Sequence, residues 1–220
     1  MVDPNLVYDR LLARFRPQHW WPAETRFEVI VGALLMAQTS WRNVEASIRN
    51  LKRAGLLDAR KIAAARIPRL RTLVKPAGLH RQKPGRLKRF CEHLVRVADG
   101  DLDRFFDRDL ATIRRELLTL DGVGPETADS ILLYAADFPT FVVDAYTIRI
   151  GRRLGLLDGD RYDDAKATFE ASVPGNVAAY REFHALLVAL GKEVCRPKPR
   201  CAICPLNDVC AYARASGTLK

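Results

Sequence analysis

Apolar residues recur along this chain three and four positions apart, and no stretch alternates apolar with polar long enough to predict a convincing strand. On that period the chain is a series of helices. Asp3-Pro4 opens the first, an N-cap followed by proline at the first helical position, and Leu6, Leu11, Leu12 and Phe15 form its apolar face. Pro17 to Pro22 breaks it around the pair Trp20-Trp21. Two such rings could stack on bases, but they more often plug one helix layer against the next. Glu24 to Ala37 is apolar almost throughout after Arg26 and predicts a buried central helix. Ser40 stands where it could cap the following one, Trp41 to Leu51. Asp58 to Ala65 predicts a short helix ended by Pro68. Arg86 to Val97 predicts a longer one with Leu87, Phe90, Cys91 and Leu94 on one side, which makes Cys91 a core residue. Further helices are expected over Asp109–Thr119, along the stripe Ala128, Ile131, Leu132, Ala135, and over Tyr146–Leu154, closed by Gly155. Two more follow, over Tyr162–Ser172 and Val177–Lys192. The expected fold class is all-α.

The joint Leu120-Asp121-Gly122-Val123-Gly124-Pro125-Glu126-Thr127-Ala128 is unusual among these connections. Gly122 and Gly124 supply permissive dihedrals for a tight hairpin, and Pro125 suits a first helical turn that needs no N–H. A glycine turn opening a helix presents unpaired N–H groups and the positive end of the helix dipole, a seat for phosphate; alone this is a weak signal, because a glycine turn more often merely joins two helices. Next comes Phe141-Val142-Val143-Asp144, a short extended apolar run ending in a carboxylate at a helix start. An aspartate there is ordinarily an N-cap.

Charge narrows the partner. With 36 basic against 26 acidic residues the net charge is +10 and the pI about 9.7, which suits a polyanion. The longest apolar run, Val29 to Ala37, is too short to span a bilayer, so no membrane partner is expected. The chain opens on no visible secretory leader, and the expected compartment is cytoplasmic, with thiols kept reduced. The segment Val74 to Gly85 is a basic loop punctuated by Pro and Gly. Arg81, Lys83, Arg86 and Lys88 are either phosphate partners there or a solvated basic face. At the C-terminal end, Cys195, Cys201, Cys204 and Cys210 form C-x5-C-x2-C-x5-C. Structural zinc sites usually pair two short hooks set well apart, whereas four thiolates so close together suit a 4Fe–4S cluster; zinc, or no metal, are the alternatives.

These motifs together resemble the helix–hairpin–helix DNA glycosylase superfamily, in its endonuclease III-like branch. The resemblance rests on Leu120, Gly122-Val123-Gly124, Thr127-Ala128 and Val143-Asp144, followed by the four cysteines, and covers about Glu24 to Cys210. It implies two helical lobes, residues 24–137 carrying the hairpin, and residues 1–23 with 138–220 carrying a cluster loop at 195–210. DNA would lie in the cleft between them. It implies Gln38, Lys83, Gly122, Gly124 and Thr127 as DNA contacts, Gln38 entering the duplex where the flipped base was. Asp144 would stabilise positive charge at C1′. Bifunctional members have a lysine just before Thr-Ala; this chain has Glu126 there, which cannot form a Schiff base. The first cysteine gap is one residue shorter than is common in the family. The wording Gly-Pro-Glu-Thr-Ala-Asp-Ser-Ile-Leu-Leu-Tyr resembles the N-methylpurine (3-methyladenine) glycosylases, with Trp41, Tyr134 and Tyr146 as base-stacking candidates. The expectation is therefore a monomeric, monofunctional glycosylase acting on double-stranded DNA that contains a damaged base. The alternatives are mismatched uracil/thymine or oxidised pyrimidines as substrates, or a DNA-binding relative without catalysis.

Overall fold

A computed structural model describes every residue except 1, 19, 22, 172, 174 and 218–220. Its helices in chain order are α1 (Pro4–Phe15), α2 (Arg26–Met36), α3 (Trp41–Arg53), α4 (Ala59–Ala64), α5 (Ile67–Leu73), α6 (Lys83–Ala98), α7 (Leu102–Phe106), α8 (Leu110–Leu118), α9 (Pro125–Ala135), α10 (Ala145–Leu154), α11 (Tyr162–Glu170), α12 (Val177–Glu193) and α13 (Ala211–Ala215). Short 3-10 turns lie at Lys75–Ala77 and Cys201–Ile203, and among the described residues no strand is formed. No helix of the described residues is long and apolar enough to cross a membrane.

The chain groups into two compact units, Trp21–Phe138 and Met1–Trp20 with Pro139–Lys220. In the first, α2 is central and packs on α3, α6 and α9. Every residue from Glu28 to Leu35 on α2 is buried, which explains its nearly unbroken apolar sequence. Its start is fixed by Thr25, whose side chain accepts from Glu28 N, while Glu28 Oε2 accepts from Glu24 N at 3.1 Å. In the second unit α12 is central, packed on α1 and α10, with its own Phe183 fully buried against the fully buried Phe141 and Phe169. Full burial of such side chains contributes roughly 1.5–3 kcal/mol each.

Two prolines, one read as a stop and one as loop punctuation, are starts. Pro68 lies in the first turn of α5, a helix the sequence reading did not expect, and Pro84 in the first turn of α6, which begins at Lys83 rather than Arg86. Proline lacks an N–H, and the first turn has no acceptor for one, so both positions accept it without loss. Ser40 is at the N-cap of α3, but its hydroxyl makes no cap hydrogen bond. Cys91 is fully buried in α6, and burial pushes its thiol pKa up. Helix Tyr162–Ser172 is shorter than expected, ending at Glu170; Ser172 lies outside the described residues.

Candidate active site and nucleic-acid interface

The hairpin is built by α8, the turn after it, and α9. Asp109 caps α8 through Thr112 N at 2.9 Å, and Ile113 and Leu117 bury its inner face. A buried ion pair ties the two helices together: Arg114 Nε and Nη2 meet Asp129 Oδ1 and Oδ2 at 2.8 and 3.1 Å, with Asp129 fully buried. The turn closes through Val123 N donating to Leu120 O at 3.0 Å, and Val123 plugs it from inside. Gly122 has φ 83°, which favours glycine, and a Cβ there would lie 2.1 Å from Arg86 Cδ, so any side chain would also have to displace Arg86. Gly124 differs from the expectation. Its φ −88°, ψ 177° is ordinary extended backbone, and a Cβ there would meet nothing within 4 Å. It is the N-cap of α9, exposed, with no side-chain cap bond. Glu126 is exposed in the first turn and Thr127 is half-buried.

The other expected contacts divide. Gln38 is exposed on the turn after α2, in the left-handed region at φ 54°. Arg81 is exposed, and Arg86 lies half-buried beneath the Gly122 turn. Lys83 must be corrected as a phosphate contact. It is 1% exposed, and its ammonium donates to Ala37 O at 2.7 Å and to Ala77 O at 2.6 Å. Lys88 also turns inward, to Ala63 O and Ala65 O at the end of α4. Among the stacking candidates, Trp41 and Tyr134 both pack on Trp21, with ring centroids 5.5 and 4.9 Å away, and Trp21 and Trp41 lie over Gly32. Tyr134 is buried there. Tyr146 belongs to the other unit, on the backbone of Gly191 with the Arg149 guanidinium 5.0 Å from its centroid. Trp20, for its part, packs on His184.

Asp144 ends the extended run and caps α10. Its Oδ1 accepts from Thr147 N at 2.7 Å and from Thr147 Oγ1 at 3.0 Å. Its Oδ2 faces His184 Nε2 at 3.6 Å. Burial works to raise this carboxyl, but His184 and the two Thr147 donors outweigh it and hold the pKa below the ordinary carboxylate value. His184, buried in α12, was missed by sequence reading. It sits on the apolar stripe with Tyr180, Phe183 and Leu187, and only tertiary packing brings it to Asp144. The result is a mostly buried carboxylate with one oxygen committed to the helix and the other outside the cap.

The four cysteines line one pocket together with Arg153, Asn207 and Tyr212. Arg153 Nη1 donates to Cys195 Sγ at 3.3 Å and to Arg196 O at 2.7 Å, while Arg149 holds Cys195 O and Gly191 O. Burial pushes the Cys204 thiol up to about 11, with the three other cysteines adding to the rise. Among the described residues no group of His, Cys, Asp or Glu is arranged to hold a single metal ion.

A helical hairpin thus opens a bare helix N-terminus, and a mostly buried aspartate starts a later helix. The model of the HhH-GPD superfamily of base excision DNA repair proteins matches residues 31–174, and the chain belongs to that family. It is a DNA glycosylase of the superfamily's endonuclease III-like kind. A protein of Methanocaldococcus jannaschii, named as a candidate DNA repair glycosylase, is 45% identical over 207 residues, 93% of this chain and 94% of that protein. Among solved structures, the 3-methyladenine DNA glycosylase of H. pylori bound to 1,N6-ethenoadenine superposes with a TM-score of 0.78. It is 27% identical and covers 87% of this chain and 98% of its own. An endonuclease III trapped covalently on DNA gives 0.85 at 23% identity, over 99% of this chain and 100% of that one, a likeness of fold.

Proposed function

We propose that this chain is a monofunctional, monomeric glycosylase that removes a cationic damaged base, an N-methylated purine, from duplex DNA by hydrolysis at C1′. The observation that carries it is Asp144, mostly buried yet held as a carboxylate, with Oδ2 outside the helix cap. As the glycosidic bond breaks, its electron pair leaves with the base, which becomes neutral, and the sugar is left cationic. A fixed carboxylate stabilises that cation as it forms. Water then adds at C1′ and sheds its proton to solvent. A base that is already cationic leaves without being protonated, so no acid need touch it. Glu126 offers no amine, which favours water over a covalent route.

We also propose that Cys195, Cys201, Cys204 and Cys210 hold a 4Fe–4S cluster. One shared pocket and a guanidinium on Cys195 Sγ suit an anionic, thiolate-held group. Such a cluster can exchange electrons, and it would cross-link the loop 195–210. Purified protein should be yellow-brown with about four irons per chain; a colourless sample with one zinc would reject the assignment.

The test of the function is a panel of duplexes, each with a single defined lesion, assayed for base release and for strand cutting. N-methylpurines should be released, leaving an uncut strand that breaks only on later alkali, and borohydride should trap no covalent complex. Efficient trapping would identify an amine nucleophile. Preference for mismatched thymine or uracil would move the substrate to the other reading.

A further inference from the structure

Lys83 sits where a charge is costly. Its side chain is almost wholly buried at the start of α6, and its two carbonyl partners come from different elements. Ala37 is the C-cap of α2, and Ala77 ends the 3-10 turn. Each partner is followed closely by backbone in the left-handed region. Gln38, next to Ala37, has φ 54°, while Gly78 and Leu79, beyond Ala77, have φ 75° and 43°. Left-handed backbone is unfavourable for a residue with a side chain, so neither Gln38 nor Leu79 holds its conformation by its own preference. The same residue also holds the second turn through its backbone, Lys83 N donating to Leu79 O at 3.1 Å. On the far side Ser47 Oγ, from α3, accepts from Ala77 N at 3.1 Å. The ammonium therefore joins the negative end of α2 to a turn already fixed on α3.

We propose that Lys83 is a positioning residue for base extrusion. It locks the turn carrying Gln38 to the turn at 77–79, so that a duplex meets a side chain already set at its entry angle. This rests on the glycosylase reading and on Gln38 entering the duplex. Extruding a base gives up its stacking and pairing, and a wedge that must first be ordered adds to that cost. Burial, and secondarily Arg86, lower the Lys83 pKa, as expected of a cation kept from solvent for its hydrogen bonds.

The test uses two substrates and one probe. Lys83→Met removes the donors at similar volume, and should slow excision about tenfold from a paired duplex but less than about threefold from a single strand, where extrusion is nearly free. Equal losses on both would mean general damage and overturn the proposal. The probe is a duplex with a tetrahydrofuran abasic analogue opposite 2-aminopurine, whose emission reports penetration without chemistry. Lys83→Met and Gln38→Ala should each remove most of the emission change, and the double variant no more than either alone. Additive losses, or an unchanged signal in Lys83→Met, would also overturn it. Should Lys83→Met fail to fold, Lys83→Gln, which keeps a donor for one carbonyl, takes its place in the same cycle. A wild-type protein that gives the emission change and the coupled losses but releases no base would refute the glycosylase reading and leave Lys83 in this role.

Discussion

Two helix N-termini in this molecule solve the same problem in opposite ways. The first turn of any helix has N–H groups without partners and a positive dipole end. At α10 the chain supplies its own anion: Asp144 accepts from both Thr147 donors and is held ionised and mostly buried. At α9 the cap is Gly124, exposed and without a side chain to offer. The first terminus is satisfied internally and presents negative charge; the second presents donors to whatever anion approaches. On the function proposed above, one faces the cation that forms at the sugar and the other the phosphate backbone. Similar local sequence logic thus yields opposite electrostatics, decided by one residue at the cap.

The comparison breaks most sharply at Asp144. Asp144→Asn keeps an oxygen to accept from Thr147, so the cap and the fold should persist and DNA affinity should change little. The charge is lost, and base release should fall by roughly 10²–10³, the scale of one missing electrostatic contact to a transition state. Single-turnover rates alongside binding measurements separate the two effects. Normal release by the variant would reduce Asp144 to a helix cap.

At the other terminus the two glycines should part company. Gly122→Val must adopt φ 83° and displace Arg86, and should destabilise the fold by about 1–3 kcal/mol. Gly124→Val has an allowed conformation and open space, so its melting temperature should stay near wild type. Its binding should nevertheless weaken about tenfold on every duplex, damaged or not, and with a shallower salt dependence, because a branched side chain would keep a phosphate from the bare terminus. Unchanged affinity in Gly124→Val would mean that α9 does not seat the backbone.

Both termini were legible in the sequence, because each is written in neighbouring residues: glycine, proline and a helical stripe for one, an apolar run and aspartate for the other. The cysteine spacing was legible for the same reason. What escaped was tertiary. His184 lies on an ordinary apolar stripe, and nothing local marks its approach to Asp144. Arg114 and Asp129 are 15 residues apart, and their pairing depends on the hairpin being closed. Lys83 was misread, yet a signal was present. The stripe Leu87, Phe90, Cys91, Leu94 carried back one turn falls on position 83, and Pro84 beside it is a helix start. A lysine in phase with a core stripe is a candidate for burial, whatever the charge of the loop around it.

The smallest expected effect is on stability against pH, and it tests directly whether α10 holds its own anion. An aspartate titrates near 3.9 in an unfolded chain. In the folded protein burial opposes ionisation of Asp144, but His184 and Thr147 prevail and its pKa is depressed. A depressed carboxyl binds fewer protons folded than unfolded, so it stabilises the fold in full above the unfolded value. That contribution is lost as pH falls from there through the folded value. The difference in melting temperature between wild type and Asp144→Asn should therefore not move against the wild type from neutral pH down to about 5, and should do so below about 4. Melting curves across that range, at constant ionic strength, make the measurement. A shift against the wild type that begins instead between pH 7 and 5 would mean that burial dominates and the carboxyl takes up a proton near neutrality. The contrast between a self-satisfied α10 and an open α9 would then fail at its first term.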